Sequence, residues 1–189
     1  MNNKIKIDLP ILEKDYKQAL KLLHDNIARD NSCGLDYLKS SSDGELLIAK
    51  IEDEVIGILK QNRPGKIFNE LPDEHFDLEH INANKKEIGY ISWIAIDQKY
   101  QGRGIGKKLV DKSLKYQKEW QTKAVIVHCW QNSPSNASQR LFGKAGFKAQ
   151  KMFKAPWQNY SKEAGPKNYW CVVCGNPCIC DELEMVKYI

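Results

Sequence analysis

Apolar positions near the start of the chain follow a helical period. They recur every three or four residues, at Leu12, Tyr16, Leu20, Leu23 and Ile27. That spacing places them on one face of an amphipathic helix. The alternation over residues 4–8 predicts a short strand before this helix, and residues 35–38 favour a short helix after it. The chain is therefore expected to begin with a strand that is followed by helices.

Strand patterns dominate the next part of the chain. Residues 45–61 contain two apolar runs that meet at Glu52, Asp53 and Glu54, which predicts an antiparallel hairpin. Residues 90–96, YISWIAI, are apolar on both faces, as expected of a central strand.

Helix and strand patterns alternate in the second half of the chain. A helical stripe with a charged opposite face consists of Ile105, Leu109, Val110 and Leu114. The segments that follow read as a strand (124–130), a short helix closed by Gly146 (135–147) and two further strands (147–153 and 183–189). This order predicts a mixed α/β fold.

Two stretches without a sustained period interrupt these elements. Residues 62–86 are polar and contain Pro64, Gly65 and Pro72, which predicts a long loop or insertion. Residues 156–182 form a second, cysteine-rich loop before the last strand. We expect one domain over residues 1–189 with these two long connections, and long connections in compact domains are often functional.

Composition narrows the class of protein. The chain has 189 residues, 42% of them hydrophobic, and can bury one sizeable core. It lacks a signal peptide's apolar stretch and any run near the roughly 20 apolar residues of a membrane span, so a cytoplasmic protein without membrane contact is expected. The net charge of +5 is too small to indicate nucleic-acid binding but is compatible with a phosphate-bearing cofactor.

A glycine-rich turn follows the predicted central strand. Gly102, Gly104 and Gly106 alternate strictly, and the helical stripe begins directly after them. Backbone N–H groups and the positive end of a helix dipole then face one spot, which favours phosphate binding. Neither the Walker A pattern nor the dinucleotide-binding G-x-G-x-x-G pattern fits this spacing.

The segment instead carries Gln-x-x-Gly-x-Gly at Gln101, Gly104 and Gly106, and this resembles the acetyl-CoA-binding motif of the GNAT superfamily of N-acetyltransferases. Around it, ISWIAIDQKYQGRGIGKKLV looks like the family's fourth strand, pyrophosphate loop and third helix, and RLFGKAGF looks like its closing segment. The resemblance covers about the first 155 residues. It implies a mixed, mostly antiparallel sheet flanked by helices, with the fourth and fifth strands splayed.

The resemblance also implies a reaction and a set of cofactor contacts. Acetyl would pass from acetyl-CoA to a primary amine. The pantetheine arm would bond the backbone of Ile94, Ala95 and Ile96, and Asn132 or Asn136 would bond its amides, although Asn136 is equally well placed as a helix N-cap. The pyrophosphate would contact the turn, that is Gln101, Gly102, Arg103, Gly104, Ile105, Gly106 and Lys107, with added charge from Lys108.

The proton acceptor is less clearly indicated. Family members often place Glu or His on the fourth strand, where this chain offers Glu87, Tyr90 and Ser92. His128 on the next predicted strand is a further candidate, with a structural histidine or a water chain as alternatives. The family tyrosine that protonates the departing thiolate aligns with Phe142, so Tyr160, a water or unaided departure must replace it.

Four cysteines crowd into the cysteine-rich loop as CVVCGNPCIC. Cys171, Cys174, Cys178 and Cys180 would close a tetrahedral structural zinc site, with an iron–sulfur centre or plain thiols as alternatives. In the GNAT family this connection lines the acceptor pocket. A metal there would hold Trp157, Tyr160, Tyr169 and Trp170 as pocket walls, unless these aromatic residues only cover a sheet edge.

The sequence therefore favours a cytoplasmic GNAT N-acetyltransferase with a zinc loop, acting on a small-molecule or peptide amine as a monomer or homodimer. Transfer of another acyl group and a CoA-binding sensor without catalysis are the alternatives. A nucleic-acid-binding zinc module is the least favoured interpretation.

Overall fold

The structure is a computed structural model that describes residues 4–131 and 136–189. A seven-stranded sheet forms its centre, in the spatial order β1, β3, β4, β5, β6, β9, β7. These strands are β1 (Lys6–Asp8), β3 (Leu46–Ile51), β4 (Glu54–Asn62), β5 (Ile88–Ile96), β6 (Ala124–Trp130), β7 (Lys148–Phe153) and β9 (Glu182–Tyr188). All neighbours pair antiparallel except β5 and β6, which run parallel.

Five α-helices flank the strands in the described part of the chain. They are α1 (Glu13–Asn26), α2 (Leu35–Lys39), α3 (Ile105–Glu119), α4 (Ala137–Lys144) and α5 (Gln158–Ala164). The predicted hairpin, central strand and first four helices are confirmed. Helix α5 is new, and so is a small antiparallel sheet of β2 (Ala28–Asp30) and β8 (Tyr169–Cys171). Each of these two strands has three residues, and neither lies in a longer alternating segment.

The helices divide between the two faces of the sheet. Helices α3 and α4 cover one face, where Ile105, Leu109 and Phe142 join a large apolar core. Helices α1 and α2 cover part of the opposite face through Ala19, Leu22 and Leu38, among others. The mixed α/β fold with a mostly antiparallel sheet, expected from the sequence, is confirmed.

The remaining part of that second face is covered by residues 62–86. This connection contains three short 3-10 turns and the beginning of a fourth (Lys85–Glu87), and it buries Ile67, Phe76 and Ile81 against β5 and β6. The predicted loop thus lacks long regular elements, but its apolar side chains belong to the core. We call residues 62–86 the covering loop.

Strands β5 and β6 separate part-way along their length. Their parallel pairing runs from Ile88 opposite Ala124 to Ile91 opposite Val127 and stops there. At the same point β5 contains a bulge, since Gln61 of β4 pairs with Ile91 and Lys60 pairs with Trp93. Ser92 is the extra residue, and a bulge bends its strand. A gap therefore opens between the ends of β5 and β6.

Within the described residues, no helix combines the length and the apolar character needed to cross a membrane.

Candidate active site

The glycine turn lies at the end of β5. Gly102 and Gly104 both have φ of 75°, a left-handed conformation that side chains with a Cβ rarely adopt. An added Cβ at either position would meet no atom within 4 Å, so the surface in front of both residues is open. Helix α3 begins at Ile105 with Gly104 as its N-cap residue. The first N–H groups of the helix lack intrahelical partners and face the region beside this open surface.

The third glycine has a different reason for being glycine. A Cβ on Gly106 would lie 3.1 Å from Leu141 Cδ2, so its absence allows α3 to approach α4. Gln101 donates from Nε2 to the Ile96 carbonyl over 3.0 Å and ties the turn to the end of β5. Gly106 therefore serves helix packing, whereas Gly102 and Gly104 face the open surface.

The basic side chains of the turn are exposed and held by neighbours. Arg103 donates to the Lys99 carbonyl over 3.2 Å and lies 5.4 Å from the centre of the Tyr100 ring. Lys107 pairs with Asp111 over 2.6 Å, one helical turn further along α3. They supply positive charge near the open surface.

The backbone of Ile94, Ala95 and Ile96 forms the β5 edge of the gap. These residues pair with β4 on one side, and their ladder with β6 has already ended at Ile91. Asn132 lies outside the described residues. Asn136 is the N-cap residue of α4 and has a left-handed conformation, but its side chain makes no cap hydrogen bond.

His128 is the first residue of β6 beyond the pairing with β5, and its imidazole is almost wholly buried. Its Nδ1 lies 3.2 Å from Tyr90 Oη, and its Nε2 lies 3.1 Å from Glu184 Oε2. Glu182 adds a second carboxylate, with Oε2 3.6 Å from Nδ1. The structure therefore joins two sequence candidates, Tyr90 and His128, in one hydrogen-bonded group.

Glu182 and Glu184 were missed by sequence reasoning. They face His128 because β9 inserts between β6 and β7, which places Glu184 directly opposite His128. Glu184 is completely buried, and the N–H of Asp77 in the covering loop donates to both of its carboxylate oxygens over 3.3 Å. The alternation of charged Glu182 and Glu184 in a strand-like segment was the available signal.

The protonation state of Tyr90 decides which atoms donate and which accept hydrogen bonds within this group. Burial, and then the carboxylates of Glu182 and Glu184, raise the pKa of Tyr90 well above its ordinary value. Its hydroxyl therefore stays protonated and donates to Nδ1 of His128. A carboxylate oxygen only accepts, so the contact between Nε2 and Glu184 Oε2 assigns the hydrogen of His128 to Nε2. Nδ1 is left as the nitrogen that can gain a proton.

Aromatic rings enclose the imidazole. Phe76 of the covering loop stacks on His128 with ring centres 5.6 Å apart, and Phe153 of β7 lies at 5.4 Å. Trp157 donates from Nε1 to Glu182 Oε1 over 2.9 Å and lies against His75. The group is thus shielded by the covering loop on one side and by the segment before α5 on the other.

Two other sequence candidates lie elsewhere. Ser92 donates to Asn62 Oδ1 over 2.8 Å, away from the histidine group. Glu87 lies at the opposite end of β5, where Lys123 and the N–H of Asn84 hold it and lower its pKa. The structure does not bring Glu87 to the gap.

The two candidates for protonating a leaving thiolate are also located. Phe142 is 1% exposed in the core beneath α4, in edge contact with Phe147. The Tyr160 hydroxyl lies 3.1 Å from both carboxylate oxygens of Asp30 and 3.0 Å from Ser32 Oγ. Tyr160 is therefore engaged with the connection between α1 and α2.

The four cysteines of the tail form a compact cluster. Their Sγ atoms all lie within 4.8 Å of one another, and those of Cys174 and Cys180 are 3.3 Å apart. Thiolates at a distance of about 2.3 Å from a zinc ion would be about 3.8 Å apart at the corners of a tetrahedron. Hydrogen bonding between Cys171 and Cys178 lowers the pKa of Cys171 and raises that of Cys178.

The cluster connects several segments beside the gap. Cys171 belongs to β8, which pairs with β2 between α1 and α2. The N–H of Cys178 donates to Ser161 Oγ of α5 over 2.7 Å. Of the four aromatic residues considered as pocket walls, only Trp157 bonds to the histidine group. Tyr169 is buried with the cysteines, and Trp170 packs on Gly175.

With this geometry described, the comparison with known proteins identifies the class. A model of the acetyltransferase (GNAT) family matches residues 12–147. The match covers most of the chain, which therefore belongs to the GNAT acetyltransferase family. Membership supports acyltransferase activity and the use of acetyl-CoA.

Solved structures share the fold along nearly the whole chain. The NatC complex bound to Gag peptide and CoA is similar at 15% identity, with 98% of this chain and 99% of that chain covered and a TM-score of 0.67. Arabidopsis thaliana NAA60 with a bisubstrate analogue has 18% identity, 98% coverage of both chains and a TM-score of 0.67. The IAA acetyltransferase from Bacillus cereus has 18% identity and a TM-score of 0.64, with 98% of this chain and 100% of that chain covered. No curated protein sequence matches the chain.

Proposed function

We propose that this protein transfers an acetyl group from acetyl-CoA to a primary amine, with His128 as the proton acceptor. The observation that carries the proposal is the gap between β5 and β6, which has the glycine turn near one edge and the Tyr90–His128–Glu184 group beside the other. Bound acetyl-CoA would supply the reactive thioester.

The chain's own atoms fit such a cosubstrate. The open surface at Gly102 and Gly104 and the first turn of α3 offer N–H groups to the pyrophosphate. The unpaired edge of Ile94, Ala95 and Ile96 would bond the pantetheine arm as an added strand would. An N–H near Ile94 would also stabilise the oxyanion, an effect worth about 3–4 kcal/mol when single donors are removed from other enzymes.

The acceptor must lose a proton before attack, because an amine with a pKa near about 10 is mostly protonated at neutral pH. We assign this proton to His128 Nδ1, reached through water because the imidazole is almost wholly buried. Once protonated, Nδ1 donates to Glu182 Oε2 or to the Tyr90 hydroxyl, and the Glu184 carboxylate stabilises the imidazolium through Nε2. Each hydrogen of the charged ring then has a partner.

The departing thiolate needs no dedicated acid. Phe142 has no proton to donate, and Tyr160 is engaged with Asp30 and Ser32. A thiol pKa of about 8.5 makes the thiolate a fair leaving group, so water or unaided departure suffices.

For the cysteine cluster we propose a structural zinc ion held by Cys171, Cys174, Cys178 and Cys180. The separations among their sulfur atoms fit a four-thiolate tetrahedron, and four protein ligands leave no open position for catalysis. Zinc would hold together β8, the residues before β9 and, through Ser161, helix α5.

Two kinds of acceptor are represented among the similar structures. One was solved with a peptide and CoA, whereas others are described as acetyltransferases of IAA or agmatine. We propose a primary amine on either a peptide or a small molecule.

The decisive experiment follows free thiol release from acetyl-CoA with a panel of amines that includes peptide N-termini, lysine, polyamines and small monoamines. Turnover that depends on one class of amine supports the proposal. Tight CoA binding without turnover on any amine would instead indicate a CoA-binding sensor. Propionyl-CoA and longer thioesters, run in parallel, test transfer of other acyl groups.

A further inference from the structure

Trp157 belongs to a short segment whose backbone is strained. Ala155, two residues before it, has φ of 41°, in the left-handed region that residues with a Cβ rarely adopt. Such a conformation persists where surrounding contacts hold it, and strained residues cluster at functional sites. The segment lies between β7, which ends at Phe153, and α5, which begins at Gln158. We call residues 154–157 the Trp157 segment.

Two successive carboxylates hold the Trp157 segment, Asp181 and the first residue of β9, Glu182. The Ala155 N–H donates to Asp181 Oδ1 over 3.1 Å, and Lys154 Nζ donates to Asp181 Oδ2 over 2.7 Å. Trp157 Nε1 donates to Glu182 Oε1 over 2.9 Å. The first carboxylate therefore fixes the strained backbone, and the second fixes the indole.

Helix α5 and the covering loop hold Trp157 from other sides. Trp157 is the N-cap residue of α5, and its carbonyl accepts from the Ser161 N–H over 2.9 Å. Ser161 is completely buried, and its Oγ accepts from the Cys178 N–H of the cysteine cluster. The indole packs against His75 of the covering loop and Tyr160 of α5, with ring centres 5.5 Å and 6.0 Å from its own. These contacts fix the direction of the indole N–H.

The consequence of this arrangement is the way in which Glu182 faces His128. Because its Oε1 accepts from Trp157, the carboxylate presents its other oxygen, Oε2, 3.6 Å from His128 Nδ1. Glu184 faces the other ring nitrogen, Nε2, and the Tyr90 hydroxyl shares Nδ1. Glu182 thus supplies the carboxylate on the side of the nitrogen that can gain a proton.

We infer that Trp157 is a positioning residue, whose indole N–H keeps the Glu182 carboxylate directed at His128 while that histidine holds the proton of the acceptor amine. The stabilisation of an imidazolium by a carboxylate depends on their separation, so a carboxylate that is free to turn away stabilises it less. The strained backbone at Ala155 is then explained, because it directs the chain so that the indole reaches Glu182. The inference rests on the proposed function, which assigns the proton to His128.

The first test is a double-mutant cycle on thiol release from acetyl-CoA. Trp157→Phe removes the N–H but keeps an aromatic ring, and kcat should fall by about fivefold, as for the loss of one hydrogen bond. In the Glu182→Gln background the same change should alter kcat by less than about twofold, because Trp157 acts only through the carboxylate. An unchanged kcat in Trp157→Phe, or an equal loss in both backgrounds, would overturn the inference.

The pH profile is a readout that a merely structural role would not move. Around the imidazole lie Tyr90 of β5, Glu182 and Glu184 of β9, Phe76 of the covering loop and Phe153 of β7. Trp157→Phe loosens only Glu182, so the protonated ring is less stabilised. With one amine as acceptor, the rise of kcat/KM with pH should move to lower pH by about half a unit. An unmoved profile would contradict the positioning role.

Nitrogen-15 NMR of the imidazole separates failure of this inference from failure of the proposed function. In the protein without substrates, the His128 Nδ1 signal, assigned by its loss in His128→Gln, should change to its protonated position at lower pH in Trp157→Phe. That change in a protein that acetylates no amine would disprove the proposed function and leave the positioning role intact. Acetyl transfer with an unmoved signal would overturn this inference alone.

The matched control is Trp170→Phe, which removes an indole N–H from the same cysteine-rich loop. Trp170 is 42% exposed and packs on Gly175, away from His128. Its kcat, pH profile and imidazole signals should be those of the unmodified protein. Losses equal to those of Trp157→Phe would assign the effect to the loop as a whole and overturn the role of the Trp157 N–H.

Discussion

The two sides of the gap between β5 and β6 are built in opposite ways. The side proposed to bind the cofactor comes from one continuous stretch, residues 94–107, and presents mainly backbone groups on an open surface. The side proposed to take up the proton combines Tyr90, His128, Glu182, Glu184 and Phe76 from separate segments, and its groups are mostly buried side chains.

This difference fits the role that we propose for each side. A diphosphate is bound by N–H groups whose directions depend on local backbone conformation, so a short motif suffices. A proton acceptor depends on which carboxylate and hydroxyl lie within hydrogen-bond distance of one imidazole, and only the pairing of distant strands determines that. The following predictions test the contrast.

The largest effect is expected for His128→Gln. Glutamine retains a hydrogen-bond donor for Glu184 but cannot take up a proton, so kcat should fall by about 10³-fold, or about 4 kcal/mol. The KM for acetyl-CoA should stay within about twofold, because the glycine turn is untouched. Steady-state thiol release checks both values, and an unchanged kcat would remove His128 as the proton acceptor.

The second-largest effect is expected from the loss of one cysteine ligand. In Cys180→Ser we expect the zinc content to fall well below one ion per chain and the free energy of unfolding to fall by about 3 kcal/mol, because metal binding is coupled to folding. Cys33→Ser is the matched control, since that thiol is outside the cluster. Metal analysis and urea unfolding measure the two quantities. Freshly purified protein with neither zinc nor iron and with four titratable thiols in the cluster would refute the metal site.

A smaller effect is expected from Gly104→Val. A β-branched residue at a φ of 75° is strained, and its side chain would enter the open surface in front of the turn. CoA binding should weaken about thirtyfold, or about 2 kcal/mol, by calorimetry. Gly143→Ala is the control, because its Cβ also meets open space within α4 but its φ is not positive. Equal CoA affinity in both variants would contradict the proposed phosphate site.

The smallest effect concerns Tyr90. Tyr90→Phe removes one neutral hydrogen bond to His128, so kcat should fall by about fivefold to tenfold, or about 1 kcal/mol. Because the pKa of Tyr90 is raised, its hydroxyl should remain protonated as the pH rises past 10. Tyrosinate absorbance should therefore follow the same curve in the variant and the unmodified protein up to about pH 10.5. The loss of one tyrosinate from the variant below that pH would contradict this assignment.

Sequence reasoning succeeded where signals were long or local. The period of α1 and α3, the hairpin of β3 and β4, and the glycine turn all lie within short stretches of chain, and the structure has them in place. It failed for β2, β8 and α5, which are short and owe their conformation to one another and to the cysteine cluster.

The candidate active site also contains residues that the sequence predicted and contacts that it could not predict. Tyr90 and His128 were identified by type and position, but their contact at 3.2 Å exists only because β5 and β6 are parallel neighbours up to Val127. Glu87 appeared equally suitable by type, and its distance from the gap follows only from its place at the beginning of β5.

By itself, the sequence identified the family and the glycine turn at which we propose a phosphate, because both depend on residues adjacent in the chain. It also placed four cysteines within one loop. The tertiary structure alone decided that Glu182 and Glu184 lie beside His128 and that the covering loop stacks Phe76 on that histidine. The physical reason is that these contacts join residues far apart in the chain, and their distances depend on strand order and on the packing of the covering loop.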